Sequence, residues 1–184
     1  MDITHKTHYV NDGKRIDTFD GLFPLAFRNN AYFLCKTANY NIGWNDTHFL
    51  ERASYDYFLH SLMPYETLDK LGLFDCVDRY EPARELIDGM NPEKAVINLS
   101  VSSDANFVHH HHQKKIMLYY ANPEWADGWG GETTYWSEDL KEIGFTSPYT
   151  PGRLIIFDGL IPHSIKPQSS IAPKYRFSLA VVMN

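Results

Sequence analysis

The segment FVHHHHQKKIMLYYANPEW carries four consecutive histidines, His109 to His112, between an apolar pair and a run of aliphatic and tyrosine residues. Imidazole is a ligand for iron, zinc, copper and nickel alike, so residue type by itself does not name a metal. A purification tag is usually longer and terminal, whereas this run lies inside the chain between two strand-like segments. On a strand, alternate side chains share one face, and the run therefore offers two chelating pairs, His109 with His111 and His110 with His112. A one-residue slip in register exchanges the two pairs, and periodicity leaves both open. A third imidazole is available from His163 in RLIIFDGLIPHSI, where an apolar strand and a turn precede it. The competing reading is an exposed histidine tract that takes up metal only incidentally.

Ligands of this kind need a rigid frame. From Ala95 onward the runs AVINLSVS, KIMLYYA, ETTYW, RLIIF and YRFSLAVVM are short and β-rich, separated by Pro, Gly, Asn and Asp clusters. That spacing predicts a sandwich or jelly roll. Upstream, AYFLCKTANYNIGW is rich in aromatic residues and reads as a strand. NDTHFLERASYDYFLHSLM opens with capping residues and carries Leu50, Ala53 and Tyr57 at helical spacing. Further helices are expected in YETLDKLGLF and in PARELIDGM, the latter ending at Gly89. The fold class that follows is mainly β with supporting α: a double-stranded β-helix of jelly-roll or cupin type with amino-terminal helices. The 184 residues suit one domain, with 1–94 as a helical and strand support region and 95–184 as the jelly-roll core with the metal site.

Composition narrows the setting. The chain is 43% hydrophobic and 15% aromatic, enough for a sizeable core, and no apolar stretch approaches the roughly 20 residues that cross a bilayer. Cys35 and Cys76 form no C-x-x-C pair and the amino terminus is polar and charged, so a reducing, cytoplasmic setting is expected. A net charge of -6 disfavours nucleic acid as a partner. Oligomeric state is left open.

The stretch from Ala95 to Asn184 resembles the iron(II)- and 2-oxoglutarate-dependent dioxygenases, in particular their prolyl-4-hydroxylase-like branch. The matching pieces come in order: the histidine site in FVHHHH, the strand LYYAN followed by PEWADGWGGET, the distal histidine in GRLIIFDGLIPHSI, and YRFSLAVV after it. The resemblance implies Fe(II) and 2-oxoglutarate as cofactors, with ascorbate as a candidate reductant, and dioxygen and an unidentified substrate as partners. It makes His109 and His163 iron ligands. It places Arg176 as the partner of the distal carboxylate of 2-oxoglutarate, with Tyr120 assisting. A guanidinium grips a carboxylate through two parallel hydrogen bonds, which suits that role. The residues before the first histidine and the distance onward to LYYAN match the short-loop members of that family, and by that resemblance His109 with His111 is the chelating pair.

One departure stands out. The family presents His-x-Asp or His-x-Glu, and the carboxylate position here is His111, giving three imidazoles. Three neutral ligands leave the full 2+ charge on the metal. Asp104 is the nearest upstream acid and lies off the usual spacing. Glu132 is a candidate acceptor for the second nitrogen of a ligand imidazole, and Trp125, Trp129 and Trp136 are expected to pack around the barrel mouth. The resemblance implies hydroxylation of a peptidyl, prolyl-like or small-molecule C–H bond. The alternatives are a three-histidine cupin-like dioxygenase that uses no oxoglutarate, and a non-catalytic jelly-roll module that binds metal or carboxylate.

Overall fold

A computed structural model describes residues 2–10, 12–45, 54–103 and 108–184. Its frame is a pair of antiparallel sheets. The strands are β1 (Thr4–Tyr9), β2 (Arg15–Asp20), β3 (Asn41–Asn45), β4 (Ser54–Met63), β5 (Pro92–Ser100), β6 (Lys115–Tyr120), β7 (Thr133–Trp136), β8 (Ile143–Ser147), β9 (Leu154–Asp158), β10 (His163–Ile165) and β11 (Arg176–Met183). The helices are α1 (Leu25–Thr37), α2 (Glu66–Lys70), α3 (Leu73–Asp78) and α4 (Glu81–Ile87). The large sheet runs β1-β2-β9-β6-β11-β5-β4-β3 and the small one β10-β7-β8. Among the described residues no helix is long and apolar enough to cross a membrane.

Strand alternation gives the large sheet two different faces. On β6 and β11 one face holds Met117, Tyr119, Phe177, Leu179, Val181 and Met183, packed with Phe27, Ala31 and Cys35 of α1 and with the short helices. The opposite face of β6 and β9 holds Ile116, Leu118, Tyr120, Ile155 and Phe157, packed with Tyr135 of the small sheet and with Tyr149. The result is the jelly roll expected from the spacing of the β-rich runs.

Two expectations fail in the first half. The strand expected over Ala31–Trp44 is mostly helix: α1 buries Phe27, Ala31 and Cys35 at intervals of four, and only Asn41–Asn45 is strand. Aromatic content pointed to β structure, but the apolar period of the buried positions is helical, and period governs which face can reach the core. The helix expected over Asn45–Met63 is also corrected. Leu50 and Ala53 lie outside the described residues, while Ser54–Met63 is a strand that pairs with β5 from Leu59↔Leu99 to Met63↔Ala95. Here a ladder of long-range partners overrides local propensity. The helices at YETLDKLGLF and PARELIDGM form as expected, and the chain reverses at Gly89 with φ +71°. Strands β1 and β2 come from a segment whose polarity masked it. They extend the large sheet beyond β9, so the sheet draws on residues from both halves of the sequence.

Candidate functional site

His109 and His163 are joined through the backbone. Each donates its N–H to the other's carbonyl, at 3.0 and 2.8 Å, in an isolated antiparallel bridge. His111 follows two residues on and is held by its own N–H to the Gly159 carbonyl at 2.8 Å. The bridge and this anchor, rather than one continuous strand, produce the shared face of His109 and His111. The ring centroids lie 4.3 Å apart for His109 and His163, and 5.1 Å apart both for His109 and His111 and for His111 and His163. One ligand nitrogen from each residue falls within 4.8 Å of the others. Twice a metal–nitrogen bond of about 2.1 Å spans nearly that distance, so small ring rotations would let all three share one ion. His110 and His112 form a separate pair, with ring centroids 5.6 Å apart.

The protonation of the rings suits ligation. The Nδ1 of His163 lies 2.9 Å from the Ile161 carbonyl. A carbonyl only accepts, so Nδ1 carries the proton and the lone pair lies on Nε2, the tautomer that suits a metal ligand. Burial pushes the pKa of His111 well below the usual imidazole value, and the fields of His163, Lys94, His110 and His112 add to the effect. His111 is therefore neutral near pH 7.

Arg176 lies on the face of β11 opposite Phe177 and is 0% exposed. Its Nε donates to the Gly131 carbonyl at 2.8 Å, while among the described residues its two terminal nitrogens meet the hydroxyls of Ser178 and Thr133, each at 3.5 Å. The guanidinium carbon is 4.7 Å from the Tyr149 ring centroid and 5.3 Å from that of Tyr120. Among the described residues no carboxylate lies within 4.0 Å of it. Arg153 makes the contrast, since Asp20 clamps it through two bonds of 2.8 and 2.7 Å. A buried cation without an anion is costly, and desolvation accordingly pushes the Arg176 pKa down. The donors of its outer edge fit a carboxylate, and that is the observation by which a dicarboxylate ligand suits this pocket.

The surroundings keep that edge in place. Tyr120 stacks on Tyr149 at 4.4 Å and donates its hydroxyl to Thr133 Oγ1 at 2.8 Å. Tyr149 is fixed in turn: it donates to the Phe177 carbonyl at 2.6 Å and accepts the Asn122 N–H at 2.9 Å. Gly131, at φ +80°, passes so close that a methyl group there would sit 3.1 Å from Arg176 Cδ and from Trp125. Only glycine combines this φ with so close an approach. Trp125 packs on Tyr149 with centroids 4.4 Å apart and donates its indole N–H to Gly130. Trp129 meets the edge of Trp125, and Trp136 donates to Ser164.

The acceptor for His163 is the Ile161 carbonyl, while Glu132, for which such a role was expected, is coupled electrostatically to Arg176. Asp104 lies outside the described residues. Thr133, Tyr149 and Ser178 carried no expectation, although the first belongs to the Gly-Gly-Glu-Thr series already singled out. Tyr149 sits in a connection with no motif of its own.

No protein-family model and no curated protein matches the sequence. Solved structures do match the fold. A prolyl hydroxylase from Trichoplax adhaerens, in complex with a hypoxia inducible factor oxygen degradation domain peptide, superimposes with a TM-score of 0.67 at 15% identity, over 91% of this chain and 82% of its own. A 2OG-Fe(II) oxygenase family oxidoreductase from Burkholderia pseudomallei gives 0.68 at 10% identity, over 92% and 84%. The 2OG complex of a viral collagen prolyl hydroxylase from Paramecium bursaria Chlorella virus-1 gives 0.61 at 15% identity, over 94% and 97%. The chain has the 2OG-Fe(II) oxygenase fold.

Proposed function

We propose that the chain is one domain acting as a non-haem Fe(II)- and 2-oxoglutarate-dependent dioxygenase, which hydroxylates a peptidyl, prolyl-like or small-molecule C–H bond. The observation that carries the reading is Arg176, a fully buried guanidinium with no carboxylate partner among the described residues, which meets Thr133 of β7, the strand that pairs with His163 of the three converging histidines. His109, His111 and His163 would hold the metal, and Arg176 with Tyr120 would hold the distal carboxylate of 2-oxoglutarate. The charges support this pairing. Three neutral imidazoles leave a divalent ion at 2+, the guanidinium adds 1+, and 2-oxoglutarate brings 2- to a space in which no acid among the described residues forms an ion pair with Arg176.

When bound, iron and 2-oxoglutarate would reductively activate dioxygen, the oxidant for a C–H bond. The protein's own residues contribute placement. The Ile161 carbonyl holds the His163 ring in one tautomer, and the Tyr120–Tyr149–Trp125 stack shields the guanidinium from water. That shielding strengthens each hydrogen bond Arg176 makes to a carboxylate. The prolyl hydroxylases among the similar structures support a peptidyl substrate as the first candidate.

The third imidazole favours a second reading, a three-histidine dioxygenase whose substrate binds the metal directly and which needs no oxoglutarate. One experiment separates the two. Iron-loaded protein is incubated aerobically with 2-oxoglutarate, with and without proline-containing peptides, and succinate is measured. Succinate formation that rises with a peptide is expected; its complete absence, with iron bound, would overturn the oxoglutarate reading.

A further inference from the structure

Tyr135 lies in β7 and is 0% exposed, yet among the described residues its hydroxyl has no hydrogen-bond partner. Buried hydroxyls are rarely left so, because each forfeits its bonds to water. Its place in the sheet indicates what is missing. Alternate residues of a strand share a face, so Tyr135 shares a face with Thr133, whose hydroxyl touches both Tyr120 and Arg176. In the other direction Tyr135 is the register partner of His163, and the two rings stack with centroids 6.0 Å apart. Along one strand face the order is therefore anion pocket, Tyr135, metal-site histidine. Phe157 at 5.0 Å and Phe145 at 5.9 Å close off the other sides of the ring and offer the hydroxyl no acceptor.

We propose that Tyr135 is a ligand-positioning residue whose hydroxyl donates a hydrogen bond to the oxo-acid bound between Arg176 and the three histidines. The inference rests on the function proposed above and adds a contact to it. An oxo-acid whose distal carboxylate sits on Arg176 and whose other end reaches the histidines must run past this side chain. Its keto and carboxylate oxygens are acceptors only, matching the single proton the phenol has to give. A phenol carries its proton near neutral pH and can donate it to such an acceptor. The hydroxyl would thus help to set the rotation of the ligand about the line from Arg176 to the metal, which Arg176 alone leaves free.

The test compares the parent protein with Tyr135→Phe, which removes the oxygen and keeps the ring. Three quantities are measured: the affinity of the anaerobic Fe(II)-loaded protein for 2-oxoglutarate by calorimetry, Fe(II) affinity, and the melting temperature of the ligand-free protein. The expected result is 2-oxoglutarate binding weakened about tenfold or more, unchanged Fe(II) affinity, and a melting temperature equal to or above that of the parent, since an unsatisfied buried hydroxyl has been removed. Equal 2-oxoglutarate affinity in both proteins would overturn the proposal while leaving the oxygenase reading intact, and would assign the hydroxyl to a buried water. A lower melting temperature with parallel loss of iron would make the group structural and would also overturn it. Absence of 2-oxoglutarate binding in the parent would defeat the oxygenase reading itself, and this contact with it.

Discussion

Replacing Arg176 by Met removes the charge and keeps most of the side-chain volume, and two opposing effects can be weighed for it. In the ligand-free protein the guanidinium makes one good hydrogen bond, to Gly131 at 2.8 Å, worth about 1 kcal/mol. It also lies near two tyrosine rings, at about 0.5–2 kcal/mol each. Against these stands the burial of a cation that has no carboxylate partner among the described residues, a penalty of several kcal/mol. The terms are of similar size, so the ligand-free Arg176→Met protein should melt close to the parent. Ligand binding is different, because there the guanidinium meets its anion. Deleting one member of a buried charge pair costs about 3–5 kcal/mol, which is a loss of roughly a hundredfold to a few thousandfold in affinity. Arg176→Lys keeps the charge and loses the planar fork, and should fall between the two. Calorimetric titration of 2-oxoglutarate into the metal-loaded proteins, with thermal melts of the ligand-free forms, reads both effects. Undiminished affinity in Arg176→Met would remove this residue as the anchor. A collapse of the ligand-free fold would show that its role is to hold β11 against β7.

Single alanine substitutions across the histidines should fall into two groups. His109, His111 and His163 each lose more than about tenfold in Fe(II) affinity, given that even an outer-shell partner is worth about 10–100-fold, while His110 and His112 keep most of it. Metal content after equilibration with limiting iron, beside circular dichroism, is the readout, and four equal small losses across 109–112 would point to an incidental tract. Gly159→Ala should weaken metal binding without replacing a ligand. A methyl group there would lie 1.9 Å from the Gln113 carbonyl oxygen and must push back the loop that carries His111, at about 1–3 kcal/mol of stability or more. An unchanged metal titration would show that the loop adapts without moving His111.

Asp17 offers a pH test remote from the site. Burial alone would raise its pKa, but Arg15 at 2.8 Å, Thr7 at 2.6 Å and His5 at 2.7 Å outweigh it, and the net shift is downward. A depressed folded pKa gives stability that is present above the unfolded value of about 3.9 and is lost as the pH falls through the folded value. Asp17→Asn should therefore cost about 1–3 kcal/mol in urea unfolding at pH 7, with the gap to the parent closing below about pH 4. A gap independent of pH would mean that packing, not charge, is what Asp17 supplies.

The β-rich runs of the second half were legible because their periodicity is local: each alternates or is continuously apolar over a few residues, with turn formers between. The short helices before β5 were legible for the same reason. The four histidines and His163 marked themselves by composition, and Arg176 and Tyr120 by their place in a longer pattern. What the linear chain left open was which side chains share a space. Two adjacent histidine pairs were equally available, and the convergence of His109 and His111 with His163 arises from a backbone bridge across more than fifty positions of chain together with the Gly159 carbonyl. Local signals were misleading where long-range pairing competes with them: aromatic content mislabelled α1, and helical spacing mislabelled the strand that β5 recruits as β4. The placement of the Arg176 guanidinium is likewise not a property of its neighbours in sequence. It follows from β11 lying between β5 and β6 in the large sheet, which turns the guanidinium toward Gly131 and Thr133 of the opposite wall. Residue types determined which chemistry is available, and the packing of two sheets, which brings together groups distant along the chain, decided where it is assembled.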